Sequence, residues 1–185
     1  MVGTNDVLSM YSPLVSRAKV KEFQLPEAPS MAILQQNIKG ILEFITKASP
    51  KTEVGLCTLP PLGENLGSAG NKLVKEANEI IHSFQDCGNC TVLEVGERLQ
   101  SEIVRKNNGG KNAADPMMMV FYAAICCPLH YFLMIPWKAF PTLSGGSIMH
   151  DAVHLTEDGG DIVADVILEW LFLKNVHKAI AVKQF

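Results

Sequence analysis

Two short motifs carry residue types at spacings that could do chemistry: Gly3-Thr4-Asn5-Asp6, and Asp151-Ala152-Val153-His154. In an Asp-x-x-His arrangement, a carboxylate held against one imidazole nitrogen fixes the tautomer. It also stabilises the imidazolium formed when the other nitrogen takes a proton. An asparagine amide is a neutral donor that can face the oxyanion of a tetrahedral intermediate. His154 is thus the candidate base, Asp151 its orienting acid and Asn5 the oxyanion donor. Each motif also has a plain structural use. Asp-x-x-His forms surface pairs and caps, and Gly, Asn and Asp all favour turns.

Other reactive side chains are weaker candidates. Cys87-x-x-Cys90 with His82 upstream has a metal-like look, but a closed zinc site needs four ligands and no second Cys or His pair follows at suitable spacing. A redox Cys-x-x-Cys opens a helix, whereas this one follows a helix pattern and precedes a strand pattern. No metal is expected. His130 reads as a polar group satisfied within an apolar segment, and His150 has no role beyond adjoining Asp151. Ser144 and Ser147 lie near His154 in sequence, but Leu143-Ser144-Gly145-Gly146-Ser147 reads as a connector rather than a nucleophile turn.

The elements that must position these groups alternate in type. Leu34, Ile38, Ile41, Leu42 and Ile45 recur at helical spacing between Met31 and Thr46, with Ser30 as N-cap. Thr52 to Leu59 is a short apolar run halted by Pro60-Pro61-Leu62-Gly63, which predicts a buried strand. A helix from Asn71 to Phe84 follows, with Leu73, Val74, Ala77, Ile80, Ile81 and Phe84 on one stripe. Thr91 to Val95 is a second strand, Glu97 to Lys106 a helix stopped by Asn107-Asn108-Gly109-Gly110, and a last helix begins after Thr156. Its buried face is Ile162, Val163, Val166, Ile167 and Trp170. Strand alternating with helix predicts βα units around a parallel sheet.

With 185 residues and 48% hydrophobic content, the chain fits one domain, 1–185, with a sizeable core. A net charge of -3, with both signs dispersed, gives no basic stripe for a phosphate backbone, so nucleic acid is not an expected partner. The five cysteines form no disulfide framework and read as reduced thiols. No secretory signal is visible at the start. Met117 to Ile135 has a mean hydropathy of roughly +1.9 and is long enough to cross a bilayer. Pro128 and His130 interrupt it, and a single crossing would separate Asn5 from His154. It reads first as a buried or lid-like insert, then as an interfacial or re-entrant element that contacts a membrane.

The order and context of the motifs carry a resemblance. VGTNDVL is similar to the block of SGNH (GDSL-type) ester hydrolases that supplies an oxyanion-hole asparagine. HDAVHLTEDGGDIVADVI is similar to the family's closing block, with its catalytic Asp and His before the final helix. LCTLPPLGENLGSAGNKLVKEANEII resembles the family's fourth strand, Pro-rich loop and following helix. The resemblance covers nearly all of the chain outside about Met117 to Ser147. It implies a flavodoxin-like, three-layer α/β/α parallel sheet with its active site at the strands' carboxyl ends. It assigns Asn5 to the oxyanion hole and Asp151 and His154 to the triad, and it implies no cofactor.

The family's Gly-Asp-Ser block, which bears the nucleophilic serine, and the glycine block after it have no counterpart in this sequence. The resemblance therefore implies the C-terminal part of the domain, lacking the first strands, about 60 residues at some 30 per βαβ step. An upstream start carrying Gly-Asp-Ser is the matching expectation. The complete domain would act on a small-molecule or lipid ester, and this chain alone would have no ordinary esterase activity. It would also leave a strand edge exposed, as a marginally stable fragment or one needing a partner. The competing reading is a non-catalytic pseudoenzyme, or an interaction fragment docking on a membrane through the Met117–Ile135 segment.

Overall fold

The computed structural model describes residues 3–107, 147–149 and 153–182, with isolated positions at Phe132 and Met134. The described elements run α1 (Thr4–Tyr11), α2 (Pro13–Glu22), α3 (Met31–Ala48), β1 (Val54–Cys57), α4 (Ala69–His82), β2 (Cys90–Leu93), α5 (Val95–Asn107) and α6 (Glu157–Val182). The chain is mixed α/β, mostly helical, with a two-stranded parallel sheet among the described residues. Val54 is in register with Cys90 and Cys57 with Leu93. The α4 crossover joins the two strands, as parallel pairing requires.

Strand alternation sorts the core onto two faces. Val54 and Leu56 of β1 and Cys90 and Val92 of β2 join a cluster with Val7 and Leu8 of α1, Leu34, Ile38 and Leu42 of α3, and Val74, Ala77 and Ile81 of α4. Cys57 and Leu93 face a second cluster with Leu99 and Ile103 of α5 and with Ile162, Val163, Val166, Ile167 and Trp170 of α6. Helices therefore cover both faces. Gly55 makes room on the second face, since a Cβ there would lie 3.1 Å from the Trp170 ring.

The predicted elements after residue 30 are present with shifted ends. Ser30 and Ser68 cap α3 and α4 by accepting from the Ile33 and Asn71 amides. One core assignment is corrected: Ile41 is 45% exposed, because α3 turns Ile41 and Phe44 toward a groove rather than the sheet. The sequence reading had no helix before residue 31, and the structure has two. Gly3, at φ 111°, starts α1, and Ser12 caps α2 with Pro13 in its first turn.

Buried polar side chains of α4 hold the loop after β1. Asn78 accepts from the Leu59 amide at 2.7 Å and donates to the Leu59 carbonyl at 3.2 Å. Seven residues earlier on the same face, Asn71 does the same for Leu62 at 2.8 and 3.0 Å. The Pro-rich loop thus satisfies its backbone groups without a strand partner, as a buried loop must.

Most of the Met117–Ile135 segment lies outside the described residues; Phe132 and Met134, which are described, are each 85% exposed. Among the described residues no helix is long and apolar enough to cross a membrane.

Candidate functional site

The segment that leads to His154 is built around Glu64. This side chain, 3% exposed in the loop after β1, accepts three consecutive backbone amides on one oxygen. Ser147 donates at 2.6 Å, Met149 at 2.9 Å, and Ile148 lies between them. Successive N–H groups converging on an anion form a nest, and charge-assisted bonds of this kind are about twice as strong as neutral ones. Met149 then bridges Leu155 in antiparallel fashion, with Val153 and His154 in the loop just ahead of that bridge.

Thr156 completes the clamp. Its hydroxyl lies 3.1 Å from the Ser147 carbonyl and 3.2 Å from that of Ile148, and accepts from the Gly159 amide at 3.2 Å. It caps α6, which starts at the next residue. A Cβ at Gly159 would collide with the Ile148 carbonyl, so only glycine allows α6 to approach this closely.

His154 is exposed on this loop, while its neighbour Val153 packs against the cluster that holds Val7, Leu8, Leu59 and Leu62. Asn5 is exposed in the first turn of α1, and its carbonyl accepts the Ser9 hydroxyl at 2.7 Å. A Cβ on Gly3 would meet the Leu59 side chain at 3.2 Å, so α1 also starts against the loop after β1. The segments bearing Asn5 and His154 therefore rest on one core cluster and one loop. Asp151, with His150 and Ser144, lies outside the described residues. A groove of about 830 Å³ is lined by Leu25, Pro29, Ile33, Ile41, Phe44 and by Asp6, the residue after Asn5.

A second polar group, which the sequence reading did not assemble, gathers where β1 and β2 end. Thr58, fully buried, accepts from the Gly96 amide at 2.8 Å and donates to Glu97 at 2.5 Å. His82 Nε2 lies 3.5 Å from Glu97 and 3.6 Å from Glu94. Glu94 titrates above its ordinary value, through burial first and then the hydrogen bond and like charge of Glu97, with His82 pulling the other way. Glu97 titrates below its ordinary value: burial opposes ionisation, but hydrogen bonds from Thr58, the backbone, Glu94 and His82 outweigh it.

Cys57, Cys87 and Cys90 are free thiols. Burial pushes the Cys57 thiol up, and burial followed by the charges of Cys87 and Asp86 does the same for Cys90, which keeps both as poor nucleophiles.

No family model matches the chain, and neither the curated proteins nor the solved structures compared with it give a match.

Proposed function

We propose that this chain is the C-terminal part of an SGNH-type ester hydrolase domain, a flavodoxin-like three-layer fold whose complete form cleaves carboxylic esters by a Ser-His-Asp route. The observation that carries the reading is the Glu64 clamp. A buried carboxylate fixes the segment leading to His154 onto the loop after β1, the loop on which Gly3 starts the helix bearing Asn5. Ligand sites of open α/β sheets form outside the carboxyl ends of their strands. A lone surface Asp-x-x-His pair would not need such a foundation.

In this reading Asp151 holds His154 in the tautomer that leaves one nitrogen free to take a proton, and the Asn5 amide donates to the developing oxyanion. The groove that Asp6 lines receives the apolar part of the ester. No Gly-Asp-Ser occurs within these 185 residues, so His154 has no assigned hydroxyl to activate. The chain by itself then forms no acyl-enzyme.

Nitrogen-detected NMR of the His154 ring tests the pairing. One tautomer is expected to dominate when the ring is neutral, and Asp151→Asn is expected to abolish that preference. The same tautomer mixture in both proteins would overturn the pair. A fluorophosphonate probe tests the missing nucleophile. No labelling is expected, and stoichiometric labelling of Ser144 or Ser147 would show a nucleophile that this reading denies.

A further inference from the structure

Away from the His154 loop, His82, Glu94 and Glu97 bring their donor atoms within 4.8 Å of one another. We propose that these three side chains bind a divalent transition-metal ion of the zinc class, with water completing its coordination.

The distances favour this reading. Zinc bonds imidazole nitrogen and carboxylate oxygen at about 2.1 Å, which sets neighbouring tetrahedral ligands roughly 3.4 Å apart. His82 Nε2 stands 3.6 and 3.5 Å from the nearest oxygens of Glu94 and Glu97. Those separations are close to the edges of a metal tetrahedron.

The scaffold holds each donor separately. His82 ends α4, which Asn78 fastens to Leu59. Glu94 directly follows β2, where the Thr58 amide donates to the Leu93 carbonyl at 2.9 Å. Glu97 is aimed by the buried Thr58 hydroxyl, the kind of outer-shell partner that orients a ligating carboxylate. Charge points the same way. Among the described residues, the ion pairs of both carboxylates run to His82.

There is also room for the open coordination position. A cavity of about 440 Å³ reaches His82 and Glu97 and is bordered by Lys75, Asn78 and Gln100. Three protein ligands with water in the fourth place is the arrangement of zinc sites that keep a Lewis-acid position available.

Calorimetric titration of the full chain with zinc, after chelator treatment, tests the site, with cobalt substitution as the spectroscopic readout. One zinc ion per chain is expected, with a cobalt spectrum showing nitrogen and oxygen ligation and no sulfur-to-metal band. His82→Ala and Glu94→Gln are each expected to weaken binding at least tenfold, and Thr58→Val by roughly 10- to 100-fold. The Glu94 side chain is 55% exposed, so Glu94→Gln keeps the test valid if a more buried variant fails to fold. Cys87→Ser/Cys90→Ser is expected to bind as the unmodified chain does. Failure of the unmodified chain to take up zinc, loss of binding in the double cysteine variant, or full affinity in folded Glu94→Gln would each overturn the proposal.

Discussion

Removing the Glu64 carboxylate should release the His154 segment from the core. Glu64→Ala deletes an acceptor shared by three backbone N–H groups and leaves them in a site where the carboxylate was 3% exposed. Hydrogen bonds to charged groups contribute about 1.5–3 kcal/mol each, so simple addition gives roughly 4.5–9 kcal/mol. Three bonds on one oxygen are not independent, and water can enter beside the exposed His154. A loss of about 3–5 kcal/mol, below the additive sum, is therefore the expected outcome for three amides that lose their shared acceptor.

Glu64→Gln separates charge from shape. The amide oxygen can still accept, but a neutral acceptor is about half as strong, so a loss of roughly 1.5–2.5 kcal/mol is expected. Urea unfolding followed by circular dichroism measures the global effect, and hydrogen exchange at residues 147–149 measures the local one. If the segment detaches before the core melts, exchange there should accelerate by about 100- to 4000-fold in Glu64→Ala, at ~1.4 kcal/mol per tenfold. A change under about 1 kcal/mol with unaltered exchange would refute the assignment of Glu64 as the anchor, since surface substitutions lie within ~0.5 kcal/mol.

Two glycines within helices should respond in opposite directions to alanine. Gly96→Ala drives a methyl into the Leu59 carbonyl and should cost at least about 2 kcal/mol, whereas Gly160→Ala meets nothing within 4 Å and should gain roughly 0.5–1 kcal/mol. Thermal melts of both variants check the pair, and equal shifts would contradict the packing of α5 on Leu59. Because Glu97 is held below its ordinary value, its contribution to stability is full above the unfolded carboxylate range, near pH ~4.3, and is lost as pH falls through its folded value. Thr58→Val removes one of the bonds that holds it down, so the Glu97 carboxyl should titrate at higher pH and acid unfolding should begin sooner. Carbon-detected NMR titration follows this directly, and an unmoved Glu97 curve would refute the role given to Thr58.

Much of the scaffold was legible because long stretches keep one period. The stripe of Val74, Ala77 and Ile81, the Ser30 cap and the apolar face of α6 from Ile162 to Trp170 are local patterns, and local patterns survive folding. The first two helices escaped because Gly3-Thr4-Asn5-Asp6 has turn-forming composition and Pro13 interrupts the helical period. Ser12-Pro13 was the available signal, an N-cap followed by the residue favoured in a first helical turn. The polar groups were less legible. Glu64 is one acid in a Pro-rich loop, and its three partners lie 83 to 85 positions away. His82 was weighed with Cys87 and Cys90 because they are near in sequence, but β2 carries the chain onward to Glu94 and Glu97, which meet the imidazole instead.

The loop after β1 organises both polar groups, and this has a physical reason. β1 delivers Thr58 fully buried, and the double proline prevents the strand from continuing, so residues 59–65 must find hydrogen-bond partners outside a sheet. Asn71 and Asn78 of α4 supply them from two turns of one helix face. A loop held this way is rigid enough to hold groups on two sides: Thr58 aims Glu97 toward His82, and Glu64 receives the segment leading to His154. Loosening the loop at Asn78 would then disturb both groups, whereas substitutions at Glu64 or Thr58 would disturb one and spare the other. The two groups share a foundation, but Thr58 aims Glu97 while Glu64 receives residues 147–149, and that division is what allows the ester-hydrolase reading and the metal reading to stand or fall independently.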